Sequence, residues 1–240
     1  MTKPSSPGAA GVVLAAGMGT RLGADGNKAY LRLAGRSMVS WSLDAVTRAE
    51  GITRTVLVFR RGEDDLARDT VERELPGAVV ELVEGGDTRH ASEFNVLRYL
   101  AADIESDAID AVLIHDAARP LAGSDMFVTA LSIAREYGGA IPALPVTDVI
   151  RSATGGDLES LSGTRSLVRV QTPQAFLALP LLQAYRGADQ EGFEGTDTAS
   201  CIEKFTDIEV RTFPGAERNL KVTFAGDITV AEALLTNPES

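Results

Sequence analysis

The stretch GVVLAAGMGTRLGADGNK, residues 11–28, joins an apolar run to a glycine-rich segment and decides the predicted fold. Its apolar part, residues 11–16, predicts a buried strand, because small and β-branched side chains fill strands that are covered on both faces. Gly17 to Gly23 then predict a loop at the carboxyl end of that strand. Ligands of open parallel sheets bind just beyond the carboxyl ends of the strands, so this loop is the first candidate for a site.

Strand-like and helix-like segments alternate along most of the chain. Helices are predicted over residues 37–50, 62–75, 91–104, 124–137, 180–185, 197–205 and 227–235, with Ser124 as the N-cap of the fourth. Strands are predicted over residues 55–59, 79–83, 111–114, 139–144, 208–213 and 220–223. This alternation predicts a Rossmann-like α/β fold, in which a mostly parallel sheet carries helices on both faces.

The alternation breaks at residues 147–169, which are rich in Gly, Ser and Thr. This segment is predicted to be a projecting β-hairpin arm. An isolated two-stranded hairpin is only marginally stable in water, so we expect the arm to pack on a second subunit and to form a homodimer. The remainder is predicted to be a single domain within residues 1–240, preceded by a flexible tail at residues 1–9.

The composition is that of an acidic globular protein. Its 240 residues include 34 Asp and Glu against 23 Lys and Arg, a formal net charge of −11. This charge argues against a general nucleic-acid binder, whose affinity comes mostly from Lys and Arg on phosphates. No apolar stretch approaches the roughly 18 residues of a membrane span, so no membrane association is predicted. The single cysteine, Cys201, excludes an internal disulfide and favours the cytoplasm.

The glycine-rich loop carries groups that suit a polyphosphate. Arg21 and Lys28 supply positive charge, and small residues let backbone N–H groups approach the phosphates. The small residues are Ala15, Ala16, Gly17 and Gly19. The dinucleotide fingerprint G-x-G-x-x-G fails at Leu22 and no G-K-[ST] follows, which excludes a Rossmann cofactor site and a Walker ATPase. Alternatively, the glycines only turn the chain after a strand.

Two later loops carry polar groups beyond predicted strands. Gly85 and Gly86 expose backbone, and Arg89 and Ser92 offer hydrogen-bond donors, which suits the edge of a base. A simple turn with a helix cap would explain the same residues. After the strand at residues 111–114, Asp116 is the best candidate for a magnesium ligand, because a hard oxygen donor suits a metal that bridges phosphates.

Several other residues admit two interpretations. A local salt bridge between Asp116 and Arg119 is an alternative to the metal site. Lys221 interrupts the apolar strand predicted over residues 220–223, and such a lysine is usually a solvated edge residue. Its role depends on whether it points toward the glycine-rich loop. Groups for a second ligand occur at residues 146–148 with Arg165, at residues 171–174 and at residues 195–198.

Six motifs occur in order: A-A-G-x-G-x-R with a following lysine, G-G-x-x-R-x-x-S, H-D-A-A-R-P, T-P-Q, T-D-x-A-S and N-x-K-V-T. Together they resemble the 2-C-methyl-D-erythritol 4-phosphate cytidylyltransferase family over nearly the whole chain. The resemblance implies an α/β fold of the nucleotide-diphospho-sugar transferase type. It implies transfer of the cytidylyl group of CTP to 2-C-methyl-D-erythritol 4-phosphate, with release of pyrophosphate, in the non-mevalonate route to isoprenoid precursors. It also implies magnesium and a homodimer joined by the arm.

The resemblance assigns a role to each candidate residue. Arg21, Lys28 and Lys221 would be the catalytic cations, and Asp116 would serve the metal. The nucleotide would contact Ala15, Ala16, Gly17, Gly19, Gly85, Gly86, Asp87, Arg89, Ser92 and Ala117. The second substrate would contact Arg119, Thr172 and Thr196, together with Thr147 and Arg165 from the arm of the other subunit.

Two positions depart from the family's pattern. Asn27 stands where proline is usual, and we expect this change to loosen the lysine loop. Glu93 to Val96 replaces V-x-x-G, which places a charge beside the expected base pocket. Two alternatives therefore stay open: a cytidylyltransferase for another polyol phosphate, such as D-ribitol 5-phosphate, and a weakly active paralogue that binds nucleotide and regulates a partner.

Overall fold

The computed structural model describes residues 7–17, 26–146, 150–152, 158–160, 167–195 and 197–236. The strands are β1 Gly8–Leu14, β2 Arg32–Leu33, β3 Arg36–Ser37, β4 Ile52–Phe59, β5 Glu81–Glu84, β6 Ile109–Asp116, β7 Gly138–Pro145, β8 Ile150–Ser152, β9 Leu158–Ser160, β10 Val168–Val170, β11 Gln174–Leu177 and β12 Glu209–Pro214. The α-helices are α1 Met38–Thr47, α2 Asp64–Glu74, α3 Arg89–Glu105, α4 Ser124–Tyr137, α5 Ala178–Glu191, α6 Thr198–Phe205 and α7 Ala225–Thr236.

The main sheet is mostly parallel, as predicted. Its centre has the order β6-β1-β4-β5, with every neighbouring pair parallel. Strand β11 lies antiparallel between β6 and β7, while β7 also pairs with β10 and, in parallel, with β12. The register places Leu14 beside Val58 of β4 and Asp116 of β6. The carboxyl ends of these three strands therefore meet at one edge of the sheet.

Two layers of helices cover the sheet, because side chains of a strand alternate between its faces. On β1, Val13 faces a core built with α1, α2 and α4, whereas Val12 faces a core built with α3, α5 and α6. A third apolar cluster, which includes Val222 and Ala231, lies under α7. The predicted α/β architecture with helices on both faces is confirmed. No helix among the described residues is long and apolar enough to cross a membrane.

Two local predictions are wrong, and one strand was missed. Residues 220–223 form no strand in the part of the chain that the structure describes; Val222 is anchored by burial and by a 2.8 Å hydrogen bond from its N–H to the carbonyl of Ala118. Ser124 is the first residue of α4 rather than its N-cap, which is Gly123 with φ +73°. Strand β11 was not predicted, because its four residues are too few for a periodic signal.

The predicted arm is only partly described. Strands β8 and β9 form an antiparallel pair in which Ile150 lies opposite Ser160, as a hairpin requires. Residues 147–149, 153–157 and 161–166 lie outside the described residues, as do residues 1–6 of the predicted tail. The tail was predicted to extend to residue 9, but Gly8 and Ala9 already belong to β1, where Ala9 is fully buried. The projection of the arm and its packing on a second subunit therefore stay predictions. The chain leaves this region through β10, which pairs with β7 of the main sheet.

Candidate active site

A cavity of about 340 Å³ opens at the edge where β1, β5 and β6 end. Its volume falls in the range of sites for small ligands. Eleven of the residues singled out from the sequence line it: Ala15, Ala16, Gly17, Lys28, Gly86, Asp87, Arg89, Ser92, Asp116, Ala117 and Lys221. The fold thus brings together residues separated by up to about 200 positions, as expected for loops at the carboxyl ends of parallel strands.

The loop after β5 needs both of its glycines for close packing. A Cβ on Gly86 would lie 2.5 Å from the Cβ of Ala91, and one on Gly85 would lie 2.6 Å from the Cβ of Ala16. Ser92 secures the same loop, since its hydroxyl accepts the Gly86 N–H at 3.1 Å and donates to the Thr88 carbonyl at 2.8 Å. The loop is therefore preorganised against the first turn of α3.

Asn27 ties down the end of the glycine-rich loop. Its side-chain NH₂ donates to the Ala15 carbonyl at 2.6 Å and to Glu63 at 2.7 Å, and its side-chain oxygen accepts the Ala29 N–H at 3.0 Å. Three hydrogen bonds thus hold Asn27 itself, while residues 18–25 of the loop lie outside the described residues, so the expectation that Asn27 loosens the loop stays a prediction. Lys28 follows directly and donates to the Val222 carbonyl at 3.5 Å.

Asp116 lies between two cations at the cavity. The Lys221 ammonium is 2.7 Å from Oδ2, and the Arg89 guanidinium pairs with Oδ1. Lys221 therefore points toward the site and is not a solvated edge residue. Arg119 donates instead to the carbonyls of Asn219, at 2.8 Å, and Val170, at 3.4 Å. The alternative of an Asp116–Arg119 salt bridge is not found among the ion pairs of the described residues.

The electrostatics of this cluster favour an ionised Asp116. Burial by itself raises the pKa of this carboxyl group, but Arg89 and Lys221 outweigh that effect and hold the pKa well below its ordinary value. Burial lowers the pKa of Arg89, while Asp116 and Glu93 more than compensate and raise it overall. Both groups are therefore charged over the whole range of pH in which proteins work.

Glu93 lies behind Arg89 and is almost completely buried, with an exposed fraction of 1%. Its Oε1 is 2.9 Å from Arg89 Nε and accepts a hydrogen bond of 2.9 Å from Thr198, while Tyr185 donates to its Oε2. Burial raises the pKa of Glu93, and its partners, Arg89 first among them, offset only part of that rise, so the pKa stays above its ordinary value. Sequence reasoning noted this charge but missed Tyr185 and Thr198, which come from α5 and α6.

A buried chain of hydrogen bonds fixes the loop after β6. His115 Nε2 lies 3.0 Å from the Arg119 carbonyl and must carry a proton there, so Nδ1 accepts from the Thr172 hydroxyl at 3.0 Å. Thr172 in turn accepts the Asp116 N–H at 3.1 Å. Burial lowers the pKa of His115 to about 4. The sequence signal for this network was the joint presence of H-D-A-A-R-P and T-P-Q.

The remaining predicted residues fall into two groups. Gly85, Arg119 and Thr172 are described but do not line the cavity, and the Thr172 hydroxyl is used by His115 and Asp116. The others lie outside the described residues: Gly19, Arg21, Thr147, Arg165 and Thr196.

The donor set fits a metal that arrives with phosphates better than a metal held by protein alone. No group of three or more His, Cys, Asp or Glu side chains among the described residues could hold a metal ion. Mg²⁺ bound with a nucleotide commonly uses one or two carboxylates, phosphate oxygens and water. Asp116 at the cavity provides one such carboxylate, although Lys221 occupies its Oδ2 here. A metal would take the place of that contact.

Comparison with known proteins identifies the family. The family model described as 2-C-methyl-D-erythritol 4-phosphate cytidylyltransferase matches residues 9–237. The chain belongs to the 2-C-methyl-D-erythritol 4-phosphate cytidylyltransferase family. A cytidylyltransferase of this name from Cereibacter sphaeroides is 39% identical over 94% of this chain and 96% of its own length. One from Geobacillus kaustophilus is 37% identical over the same shares.

Solved structures of this cytidylyltransferase family share the fold. The 4-diphosphocytidyl-2C-methyl-D-erythritol synthase of Anaerococcus prevotii superposes with a TM-score of 0.81 at 27% identity, over 96% of this chain and 97% of the other. The 2-C-methyl-D-erythritol 4-phosphate cytidylyltransferase of Thermus thermophilus gives a TM-score of 0.70 at 27% identity, over 94% and 98%. The resemblance stated from six sequence motifs is therefore confirmed at the level of the family and of the fold.

Proposed function

We propose that this protein transfers the cytidylyl group of CTP to 2-C-methyl-D-erythritol 4-phosphate. The products are 4-diphosphocytidyl-2-C-methyl-D-erythritol and pyrophosphate. The observation that carries this proposal is the meeting of Lys28, Arg89, Asp116 and Lys221 in one cavity at the carboxyl edge of the sheet. The two lysines suit the phosphates of a nucleotide and of a second phosphorylated substrate, while Arg89 pairs with Asp116. Membership of the family supports the choice of substrates.

The reaction needs charge and positioning more than proton transfer. A phosphate oxygen of the acceptor forms a bond to the α-phosphorus of CTP, the bond from that phosphorus to the β-bridging oxygen breaks, and pyrophosphate leaves with the electron pair. The attacking oxygen is already anionic near neutral pH, so no general base is required. Stabilisation of the charge that develops around the phosphorus supplies most of the catalysis. Lys28, Lys221 and Arg21 are the cations proposed to do this.

The nucleotide is proposed to lie across the three loops. Backbone N–H groups after β1, at Ala16, Gly17 and Gly19, would face the phosphates. Ala15, whose N–H donates to the Val58 carbonyl at 2.8 Å, and Ala117 would contact the nucleotide in other ways. The loop after β5, with Gly85, Gly86, Asp87, Arg89 and Ser92, would face cytosine. Arg119, Thr172 and Thr196, with Thr147 and Arg165 of a second subunit, are proposed for the acceptor. Of these, Thr172 has the weakest support, because its hydroxyl is used inside the protein.

Magnesium is the proposed cofactor, with Asp116 as its protein ligand. When bound, the ion would neutralise charge on the phosphates and favour departure of pyrophosphate. The support is the position of Asp116 at the cavity and its ionised state, which Arg89 and Lys221 maintain by lowering its pKa. Arg89 keeps its own contact, to Oδ1, in this arrangement.

A homodimer is proposed from the exposed apolar edge next to the arm. Leu167, Val168 and Val170 are 42%, 45% and 41% exposed, and the last two belong to the short edge strand β10. An exposed apolar edge strand favours contact with another chain. Val168→Lys should shift the oligomer toward monomer in sedimentation velocity, and an unchanged dimer would contradict this interface.

A reducing compartment, the cytoplasm, is proposed because Cys201 is a buried free thiol.

The experiment that tests the activity is magnesium-dependent release of pyrophosphate from CTP. Acceptors are 2-C-methyl-D-erythritol 4-phosphate and D-ribitol 5-phosphate, tested separately, with ATP, GTP and UTP as nucleotide controls. Release with CTP and the methylerythritol phosphate alone supports the proposal. Release with the ribitol phosphate alone would replace the acceptor. CTP binding without release for any pair would indicate a nucleotide-binding paralogue instead.

A further inference from the structure

Four charges of alternating sign form a row from the cavity into the protein: Lys221, Asp116, Arg89 and Glu93. Lys221 Nζ lies 2.7 Å from Asp116, which pairs with Arg89, and Arg89 Nε lies 2.9 Å from Glu93. The formal charges sum to zero. Arg89 is the shared member, since one edge of its guanidinium faces Glu93 and another nitrogen faces Asp116.

Glu93 is held far more rigidly than the residue it contacts. Its own helix, α3, supplies Arg89 one turn earlier, while Tyr185 of α5 and Thr198 of α6 both donate hydrogen bonds to its carboxylate. These neighbours present hydrogens to Glu93, an arrangement that stabilises the carboxylate form. The Arg89 side chain, by contrast, lines the cavity and is partly exposed.

We propose that Glu93 is a positioning residue for the cytidylyl transfer, which holds Arg89 against Asp116 and away from the triphosphate of CTP. This inference rests on the proposed function. An arginine side chain has many rotamers, and a single carboxylate at one nitrogen leaves the guanidinium able to turn about that contact. A second carboxylate 2.9 Å from Nε, in an ion pair without a hydrogen bond, attracts the guanidinium at a second point and restricts that turning. Without Glu93, an anionic triphosphate in the same cavity would compete with Asp116 for the guanidinium.

It follows that the cations of the cavity have different roles. Lys28 and Lys221 would face the phosphates, while Arg89 would face Asp116. An Arg89 that bound the triphosphate would strengthen ground-state binding and leave Asp116 less well placed, so affinity would rise as turnover fell.

The test compares CTP affinity with turnover in Glu93→Gln, which keeps the shape and removes the charge. Calorimetry with CTP and magnesium should show binding tighter by roughly 3- to 10-fold, because a charge-assisted contact is gained. Pyrophosphate release should show a lower kcat, on the order of tenfold. CMP, which lacks the β- and γ-phosphates, should show a clearly smaller gain in affinity. Glu93→Asp, which keeps the charge, should stay closer to the parent protein in both measurements.

Two further variants make the result specific. In an Arg89→Met background, Glu93→Gln should no longer tighten CTP binding, since the gain requires the guanidinium. Glu81→Gln breaks a different Arg–Glu pair, with Arg54, and should leave CTP affinity unchanged. Should Glu93→Gln fold poorly, Glu93→Val removes the charge without burying an amide, and the same expectation holds for it.

The outcomes separate this inference from the proposed function. Unchanged or weaker CTP binding by folded Glu93→Gln and Glu93→Val overturns the positioning role, as does a tightening that persists in the Arg89→Met background. Absence of pyrophosphate release by the parent protein overturns the proposed function, whereas the affinity measurements still decide the role of Glu93. Failure of the parent protein to bind CTP overturns both.

Discussion

The ammonium group of Lys221 lies 2.7 Å from the carboxylate of Asp116, although 105 residues separate the two in the chain. Asp116 ends β6 at the carboxyl edge of the sheet, and Lys221 lies in the irregular segment that precedes α7. That segment is anchored by Val222, which is buried beneath α7 and bonded to the Ala118 carbonyl. The apolar neighbour thus sets the direction of the lysine.

Lys221→Met should lower kcat/KM for pyrophosphate release by roughly 100-fold, since a preorganised positive charge is lost from the cavity. The variant should remain folded but lose some stability, because the buried Asp116 keeps only Arg89 as a cationic partner. Lys204→Met is a matched control: Lys204 has a similar exposure but lies over the rings of Phe193 and Phe205, outside the cavity. Near-normal turnover of Lys221→Met would remove this residue from the mechanism.

Gly86→Ala should weaken CTP binding by about tenfold or more, because accommodating an overpacked site costs about 1–3 kcal/mol. The new Cβ would lie 2.5 Å from the Ala91 Cβ and 3.0 Å from its carbonyl carbon, so the loop after β5 has to move. The measurement is calorimetric titration with CTP. Gly226→Ala is the control, since a Cβ there meets no atom within 4 Å, and its affinity should match the parent protein. Equal affinities for both variants would show that this loop does not contact the nucleotide.

Thr172→Val should lower the free energy of unfolding by about 1–3 kcal/mol, the cost of leaving buried polar groups without partners. The groups are Nδ1 of His115 and the N–H of Asp116, both of which use the Thr172 hydroxyl. Urea unfolding measures this loss, and Thr172→Ser, which keeps the hydroxyl, should lose much less. Full stability of Thr172→Val, together with a raised KM for the acceptor alone, would instead favour the substrate contact implied by the family resemblance.

Glu74→Gln should lower stability at pH 7 by about 1–3 kcal/mol, as expected for hydrogen bonds to a charged group. The Glu74 carboxylate accepts the N–H and the hydroxyl of Ser37, each at 2.8 Å, at the N-terminus of α1. Burial opposes ionisation, yet these bonds lower the pKa of Glu74 to about 2.

The pH dependence of this difference has a definite sign. A carboxylate whose pKa is lowered by folding adds stability that is complete above about pH 4.5 and is lost as the pH falls toward 2. Urea unfolding at pH 7, 5, 4 and 3.5 should therefore show the gap between Glu74→Gln and the parent protein narrowing below pH 4.5. The exposed Glu72, on the same helix, provides the control, and Glu72→Gln should show no such trend. A gap that stays constant with pH would contradict the role of Glu74.

Periodic patterns predicted most of the helices and strands because each pattern spans a whole element. Helix α4 ends at Tyr137 as predicted, and the strands with long apolar runs were placed within a few residues. Strand β11 was not predicted because its four residues, Gln174–Leu177, are too few to show a hydrophobic period. Their extended form comes from pairing with β6 on one side and β7 on the other. The strand predicted over residues 220–223 is absent although its apolar pattern was clear. Val222 is buried as that pattern indicates, but no neighbouring strand among the described residues pairs with the segment.

Some features of the candidate site were likewise predicted from the sequence, and others were not. Residues such as Gly86, Lys28 and Asp116 were found from sequence, because loops that follow parallel strands share one edge of the sheet. The sequence did not predict the direction of Lys221, nor the hydrogen bonds of Glu93 with Tyr185 and Thr198. These depend on contacts between residues more than 90 positions apart in the chain.

The sequence by itself determined the family, the α/β class and the position of the site at the strand ends, because motifs and hydrophobic periods are local properties of the chain. Only the tertiary structure decided which charges pair. It placed Arg89 between two carboxylates, Asp116 and Glu93, and gave the Asn27 side chain a hydrogen bond to the Ala15 carbonyl. The reason is physical: the energy of a charge or a hydrogen bond depends on distance and burial, and both are set by how helices and strands pack.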